Sequence, residues 1–310
     1  MAGLQQLLDS VVSEVGKALA GKELQIRLAL CCMLCRGHLL LEDLPGMGKT
    51  TLALALGRVL GLQAQRIQFT SDLLPADILG VSVYETTTSQ FSFHPGPIFH
   101  PLILADEINR TTPKTQSALL EAMEERQVSV EGVTRPLPDP FFVIATQNPL
   151  SHSGTYPLPG SQLDRFFMRL ALGYPDPDAE RLILLGQHGR EQLTHLTQQL
   201  SVSQLKEMQQ QVSEIRVSEP LLSYLQRLIE HSRSQESFPY GLSSRGALAL
   251  LRAGQCWSMM NGRNYVIPED LQVVLPAVVE HRLQEQTETG QQSAEALSQR
   301  LLRDVDVIAE

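Results

Sequence analysis

The chain has 310 residues and a formal net charge of −9, and 43% of its residues are hydrophobic while only 5% are aromatic. The length allows two domains and a sizeable core, whereas the acidic balance and the few aromatic side chains argue against a general nucleic-acid binder, leaving room only for a local basic patch. No apolar run approaches the roughly 20 residues needed to span a bilayer. The N-terminus lacks a basic region followed by a signal core, so we expect a cytoplasmic protein.

The first 35 residues predict two helices, at 4–20 and 24–35, because apolar residues recur there at helical spacing. The second helix holds three of the four cysteines, and the fourth, Cys256, is far away. The pair Cys32-x-x-Cys35 has the spacing of a metal or redox site. No second Cys/His pair at ligand spacing accompanies it, so we interpret these cysteines as apolar core residues.

A glycine-containing loop lies between a predicted buried strand at 38–41 and a predicted helix at 52–60. A strand, a glycine loop, Lys-Thr and a helix make up the context of a phosphate-binding P-loop. Asp43 stands where that pattern has its first glycine, so the match is imperfect. The alternative is a strand–turn–helix without a ligand.

Each residue type in this loop has a reason in phosphate chemistry. Gly46 and Gly48 let the backbone N–H groups point at phosphate oxygens, and the positive end of the next helix adds to that field. Lys49 would reach the terminal phosphates, and the Thr50 hydroxyl would hold Mg²⁺. The predicted nucleotide-binding loop comprises Pro45, Gly46, Met47, Gly48, Lys49, Thr50 and Thr51.

A second motif is the apolar run 101–105 that ends in Asp106 and Glu107. A continuous apolar run is typical of a parallel strand buried on both faces, and ligands bind at the carboxyl end of such strands. There Asp106 can hold Mg²⁺ through water, and Glu107 can orient and polarise the attacking water of a phosphoryl transfer. An acidic pair alone is more often a solvated strand end, but after a P-loop it indicates catalysis.

The rest of the first part alternates strands and helices, which predicts a parallel sheet covered on both sides. Thr112 is expected to cap the helix that begins at Pro113 and runs to Glu125. Two further segments alternate apolar and polar residues and predict hairpins, the second turning at Glu131-Gly132. The predicted core strands lie at 66–69, 141–146 and 167–172, a short helix at 70–79, and the hairpins at 80–93 and 128–137.

Beyond residue 178 the apolar periods are helical, and no strand-like run is convincing. The polar, Gln-rich stretch 186–200 is predicted to be a loop or linker. We therefore predict a nucleotide-binding α/β domain at 1–187 and a helical lid at 188–310. The predicted lid helices are 202–211, 220–232, 244–260 and 268–282.

Several motifs together resemble those of the MoxR-type AAA+ ATPases. Besides the P-loop, they are Leu104 to Arg110, Leu119 to Glu125, Ala145 to Pro149, Gly154 to Pro159, Leu163 to Phe166 and, in the lid, Pro268 to Asp270 with Glu280 to Arg282. The resemblance covers nearly the whole chain. It implies a P-loop module with a parallel sheet between helices, two β-hairpin insertions and a C-terminal all-helical lid. It also implies ATP hydrolysis with Mg²⁺, a homo-oligomeric ring that is usually a hexamer, and chaperone-like work on a protein client, typically one with a von Willebrand factor A domain.

The same resemblance suggests three further catalytic residues. Asn148 matches the sensor-1 residue, although an Asn before Pro149 is also a common turn opener. Arg245 matches the sensor-2 arginine, although Ser244 stands where the family usually has proline and a solvated first-turn arginine is the alternative. Arg165 matches the arginine finger that reaches a neighbour's ATP.

The arginine finger and the adenine pocket each leave an alternative open. Arg165 could instead form an ion pair within its own chain, and Arg110 is a rival for the finger. For the adenine pocket the matching positions are Leu19, Ala20 and Gly21, where ordinary packing is the alternative because the family more often has a β-branched residue before the glycine.

Three functions compete on these observations. The first is an ATP-driven machine that remodels a protein, and the second is a nucleic-acid motor or loader on the same module, which the acidic balance and the few aromatics disfavour. The third is a nucleotide-gated scaffold without catalysis, which the joint presence of Lys49, Asp106, Glu107 and Asn148 argues against. A GTPase is disfavoured because the Asn-Lys-x-Asp motif that reads guanine does not occur.

Overall fold

A computed structural model describes residues 2–87, 89–149, 154–186, 188–234, 241–283 and 296–308. Nine strands occur in these ranges, numbered here in chain order. They are β1 (Leu39–Glu42), β2 (Ala64–Gln68), β3 (Gly80–Glu85), β4 (Gln90–Pro95), β5 (Leu102–Asp106), β6 (Gln127–Val130), β7 (Val133–Pro136), β8 (Phe142–Gln147) and β9 (Met168–Leu170). Five of them form one parallel sheet in the order β2-β5-β8-β1-β9.

Twelve α-helices surround and follow this sheet within the described residues. They are α1 (Ala2–Gly16), α2 (Glu23–Leu34), α3 (Lys49–Val59), α4 (Pro75–Leu79), α5 (Pro113–Glu125), α6 (Gly160–Leu163), α7 (Pro177–Leu184), α8 (Val202–Gln211), α9 (Glu219–Ser234), α10 (Ser244–Met260), α11 (Pro268–Val279) and α12 (Leu297–Asp304). None of the described helices is both long and apolar enough to cross a membrane.

The two faces of the sheet belong to two different apolar cores, because successive residues of a strand point to opposite faces. Along β5, Leu102 and Leu104 join the core that contains α1, α2, α3 and the helices from α8 onward. Ile103 and Ala105 join the other core, against α4 and α5. The continuous apolar runs of β1, β5 and β8 thus reflect burial on both faces, as the sequence predicts for a parallel sheet.

Both predicted hairpins are present. Strands β3 and β4 pair antiparallel, and so do β6 and β7. Glu131 and Gly132 form the turn of the second hairpin and both have positive φ, the conformation of a tight two-residue turn that matches the twist of the strands. Arg135 of β7 lies over the ring of Phe93 of β4, 3.7 Å from its centroid, so the two hairpins contact each other.

Two features of the helical part differ from the sequence prediction. The stretch 186–200, predicted to be a loop or linker, is a packed loop and not a free linker, because it contains a 3₁₀ helix (Arg190–His195) and buries Leu196 and Leu200. Arg58 of α3 holds it by donating to the carbonyl oxygens of Leu196 (2.9 Å) and Thr194 (2.7 Å). Helix α12 was not predicted at all. The predicted domain boundary falls at Gln187, outside the described residues, and stays a prediction.

Candidate active site

The loop after β1 curls around a cavity of about 310 Å³ at the carboxyl ends of β1, β5 and β8. Gly46 and Gly48 have φ values of 86° and 90°, a region that side chains make costly, which explains the need for glycine at both positions. Gly48 also precedes the first residue of α3, so the N–H groups of the helix end open towards the cavity. The cavity is lined by Pro45, Gly46, Gly48, Lys49, Thr50, Thr51, Asp106, Glu107, Thr146, Gln147 and Asn148.

Lys49 is the first residue of α3, and its side chain reaches back to the loop. Its ammonium donates to the carbonyl oxygens of Asp43, Leu44 (3.0 Å) and Gln147 (3.5 Å). Burial lowers the pKa of Lys49, and the carboxylates of Asp43, Asp106 and Glu107 oppose that shift. The ammonium is therefore held in place by neutral carbonyl oxygens, an arrangement suited to an anionic ligand.

Asp106, the last residue of β5, is almost fully buried and has two firm partners. One carboxylate oxygen accepts from the hydroxyl of Thr146 on β8 at 2.6 Å. The other accepts from Arg66 on β2, at 2.6 Å from Nη2 and 3.0 Å from Nε. Neither partner is predicted from the sequence. Thr146 is the last residue of a predicted core strand, but the sequence does not show which strands are neighbours.

Glu107 has an unusual backbone. Its φ of 58° and ψ of 50° are left-handed values that cost a non-glycine residue free energy and occur mainly at functional sites. Its N–H donates to the Thr146 hydroxyl at 2.9 Å, so Thr146 contacts both acidic residues. Its carboxylate pairs with Arg110 at 3.0 Å and accepts from Gln68 at 3.3 Å. Arg110, the rival finger, thus lies beside the Glu107 of its own chain.

The donors in this cavity suit Mg²⁺. The Thr50 hydroxyl and the Asp106 carboxylate are hard oxygen ligands, and both line the same cavity as Lys49. Arg66 holds one oxygen of Asp106, and Thr146 donates to the other. This double anchoring fits a carboxylate that contacts the ion through water better than one that binds it directly.

The remaining predicted residue of this region, Gly21, does not line the nucleotide cavity. Its φ is 68°, and a side chain there would meet Asp176 and Ala179 at under 3 Å, so glycine is required. The neighbouring Leu19 reaches within 2.7 Å of where a side chain at Gly48 would begin. Leu19 and Gly21 line a separate cavity of about 520 Å³ together with residues of α1 and α2.

Arg165 and Arg245 lie elsewhere. Both pair with Glu124 near the end of α5, Arg165 at 3.1 Å and Arg245 in closer contact. They line a cavity of about 280 Å³ that also includes His38, the residue that precedes β1. The P-loop follows the other end of β1, whose four residues span about 10 Å. We call this second site the arginine cavity, because six arginines line it: Arg36, Arg126, Arg165, Arg245, Arg252 and Arg282.

Helix α10 begins where the sequence predicts. Ser243 caps it by accepting from the N–H of Gly246 at 3.0 Å, so Arg245 lies in the first turn. The Ser243 hydroxyl is 3.3 Å from a carboxylate oxygen of Asp164, and the same carboxylate accepts from Arg282 at 2.7 Å. The start of this lid helix is therefore tied to the residue before Arg165.

Comparison with known proteins agrees with this architecture. The family model described as "ATPase family associated with various cellular activities" matches residues 38–168, and a AAA lid domain model matches residues 230–301. The Chaperone MoxR1 of Mycobacterium tuberculosis is 39% identical over 287 residues, which cover 89% of this chain and 75% of that protein. The chain belongs to the MoxR-type AAA+ ATPases.

A further relative and a solved structure span the chain equally well. The uncharacterised protein YeaC of Bacillus subtilis is 44% identical over 280 residues, covering 90% of this chain and 88% of that protein. The crystal structure of a candidate ATPase from Cytophaga hutchinsonii superposes with a TM-score of 0.86 at 34% identity, covering 98% of this chain and 96% of the other. The predicted fold is thus confirmed.

Proposed function

We propose that this MoxR-type protein binds ATP with Mg²⁺ in the cavity behind the P-loop, hydrolyses it in a homo-oligomeric ring, and uses the cycle to remodel or activate a partner protein. One observation carries the proposal. The P-loop, both acidic residues and Asn148 converge on one cavity, while Arg165 and Arg245 lie beyond the opposite end of β1.

The chemistry follows from the positions of the side chains. Loop N–H groups and Lys49 hold the phosphates, and a bound Mg²⁺ would neutralise the charge that develops on them. Thr50 and, through water, Asp106 would hold that ion. Glu107 orients and polarises the attacking water, and its fixed backbone keeps the carboxylate in the cavity. Asn148 also lines this cavity, and we propose that it contacts the water or the γ-phosphate.

A ring explains the separation of the arginines. Arg165 cannot serve as the finger for its own chain's nucleotide if it stays paired with Glu124, but it can face the nucleotide of a neighbouring subunit. We extend the same role to Arg245, because it shares the Glu124 carboxylate. A hexamer is the expected ring, since that is what the family resemblance implies.

The partner is proposed to be a cytoplasmic protein with a von Willebrand factor A domain, as the family resemblance implies, and the name of the mycobacterial relative supports a chaperone-like role. The β3–β4 hairpin offers a contact surface for protein rather than nucleic acid. Val81, Val83, Tyr84 and Phe91 are exposed on it, and residues 80–95 contain neither lysine nor arginine. That composition disfavours the nucleic-acid motor, because such contacts need cations to neutralise phosphates.

Steady-state ATP hydrolysis with Glu107→Gln tests the enzymatic part. The amide keeps the shape of the side chain and removes the charge that polarises water, so we expect ATP binding near the wild-type level and almost no turnover. Glu207→Gln serves as the matched control, because Glu207 is an exposed acid on α8 outside the cavity. Turnover by Glu107→Gln at the rate of the control would refute the assignment. The trapped variant can also be used to capture the partner protein.

A further inference from the structure

Three cysteines that are dispersed in the sequence meet in the structure. Cys31 lies in α2, Cys35 follows its last residue, and Cys256 comes from α10. Their sulfur atoms all lie within 4.8 Å of one another. Residues 31 and 35 share one face of a helix because they are four apart, and α10 packs against that face. We call this group the thiol cluster.

The thiol cluster is not the pair that the sequence suggests. Cys32 belongs to the Cys32-x-x-Cys35 spacing, but it faces the backbone of Met168 at the sheet and is outside the cluster. The third thiol instead comes from Cys256, which lies 221 residues beyond Cys35 in the sequence. The sequence shows no second Cys/His pair at ligand spacing, but the fold supplies a further thiol from Cys256 on α10.

The sulfur separations favour a metal ion over a disulfide. A metal–sulfur bond is about 2.3 Å, so three sulfurs around one trigonal ion lie about 4.0 Å apart. The largest separation in the thiol cluster would therefore shrink by at most about 0.8 Å. A disulfide needs two sulfurs about 2.05 Å apart, a larger movement in helices that are closely packed.

The number and type of donors define the ion. Among the described residues, no histidine, carboxylate or fourth thiol completes the cluster. Cys31 and Cys256 are fully buried and Cys35 is 4% exposed, so among the described residues these three sulfurs are the ligands that the protein offers. Structural zinc sites are almost always four-coordinate, whereas a set of soft thiolates alone suits monovalent copper. We propose that Cys31, Cys35 and Cys256 form a three-coordinate site for a soft metal ion, with Cu(I) as the ion that fits.

The residues around the thiol cluster would let the ion enter and would offset part of the negative charge of the complex. Cys35 lines the arginine cavity, which gives the ion a route from solvent to the sulfurs. Binding Cu(I) would release three protons and leave a complex with a net charge of −2, without any change in oxidation state. Arg252 lines the same cavity beside Cys35, and its positive charge would offset part of that negative charge. At present the thiols donate to the carbonyl oxygens of Ala253 (3.6 Å), Arg252 (3.4 Å) and Cys31 (3.7 Å).

A bound ion would cross-link α2, which packs on the sheet, to α10, which carries Arg245 in its first turn. The site is independent of the nucleotide cavity, so it stands even if the proposed ATPase cycle is wrong.

An anaerobic competition titration tests the proposal. The reduced, full-length protein competes for Cu(I) with a chromophoric Cu(I) chelator, and we expect it to withdraw one equivalent per chain. Cys256→Ala and Cys31→Ala should each weaken binding at least about 10-fold, because two thiolates remain. Cys32→Ala is the matched control, a buried cysteine of the same helix outside the cluster, and should bind Cu(I) as the wild type does.

Two further measurements complete the test. X-ray absorption of the copper-loaded protein should show three sulfur neighbours, and Cu(I) should raise the melting temperature of the wild type but not of Cys256→Ala, since binding only the folded state stabilises it. The proposal is overturned if folded wild type, checked by circular dichroism, withdraws no copper. It is equally overturned if Cys256→Ala retains wild-type affinity, or if Cys32→Ala loses as much as Cys256→Ala does. Zn(II) bound more tightly than Cu(I) would refute the assignment of the ion.

Discussion

Thr146 connects the two acidic residues of the candidate active site. Its hydroxyl donates to Asp106 at 2.6 Å and accepts from the N–H of Glu107 at 2.9 Å. One side chain on β8 therefore fixes the carboxylate expected to hold Mg²⁺ and the strained backbone of Glu107, the residue expected to polarise the attacking water.

We expect Thr146→Val to lower the turnover number by roughly 10- to 100-fold, because a hydrogen bond to a charged group contributes about 1.5–3 kcal/mol. ATP affinity should change less, since the loop and Lys49 are untouched. Thr146→Ser restores the hydroxyl and should recover most of the rate. Equal losses for Val and Ser would contradict this role, because Ser keeps the hydroxyl that is proposed to sustain the rate. Initial-rate kinetics over a range of ATP concentrations distinguish these cases.

Lys49→Ala should weaken ATP binding by roughly 10- to 100-fold or more, because the charge-assisted contacts to the terminal phosphates are lost. Isothermal titration with ATP measures this directly. Lys114→Ala, which removes an exposed lysine at the start of α5, is the control and should bind normally. If both variants bind ATP equally well, the loop does not hold a nucleotide.

Among single residues, the sequence predicts those whose type is required by phosphoryl transfer. The glycines, Lys49 and the acidic pair have few substitutes in phosphoryl transfer. Arg66 and Thr146 could not be assigned, because their roles depend on β2 and β8 flanking β5, an order that the sequence does not contain. The thiol cluster was missed for the same reason.

Among the elements, β1 depends on a buried histidine at its start. His38 accepts from the N–H of Val143 on β8 at 2.9 Å through Nδ1, which leaves Nε2 to donate to the carbonyl oxygen of Met123 at 3.2 Å. The ring must therefore be neutral. Burial lowers the pKa of His38 to about 4 from an ordinary value of 6.5, and the pKa of His281 is also lowered by burial and by Arg282.

The folded state should therefore lose stability in mild acid. Below about pH 6.5 the unfolded chain binds a proton at His38 that the folded chain does not, so the free energy of unfolding falls as pH falls towards 4. Between pH 7 and pH 5 this amounts to about 2 kcal/mol. His38→Gln keeps a donor and an acceptor but cannot titrate, so it should lose less stability over that range in urea unfolding.

His195→Gln is the control for this experiment, because His195 is exposed. It should follow the wild type at both pH values. A wild-type pH dependence in His38→Gln would show that His38 does not account for the acid sensitivity.

The predicted helices and strands agree with the structure where apolar residues recur regularly. The prediction is weaker where only a few isolated apolar residues are buried. The hairpins, α8 and α10 follow from apolar spacing or turn residues. The stretch 186–200 looked like a linker because it is polar, yet Leu196 and Leu200 anchor it on α3. Two apolar residues among polar ones do not reveal a tertiary contact.

For the whole molecule, the decisive feature is the separation of two charged sites by the length of β1. Glu124 holds both Arg165 and Arg245 in the isolated chain. Neither arginine lines the nucleotide cavity. We therefore propose that these arginines act on the nucleotide of a second copy of the chain.

Arg165→Ala should bind ATP and assemble normally but hydrolyse it on the order of 10³-fold more slowly, the typical worth of an arginine supplied by a neighbour. Arg216→Ala, a change on the lid outside both cavities, should retain activity. If Arg165→Ala is as active as Arg216→Ala, we would assign the finger to Arg110 and repeat the test there.

The most direct test of the account mixes Arg165→Ala subunits with Lys49→Ala subunits and measures ATP hydrolysis after subunit exchange has been confirmed. Each variant alone should be nearly inactive. In mixed rings some intact nucleotide sites would face an intact Arg165, so partial activity should return. A mixture of Lys49→Ala with the double variant Lys49→Ala/Arg165→Ala has no intact nucleotide site and should stay inactive. Exchange without any recovery of activity in the first mixture would contradict a site completed by the neighbouring subunit.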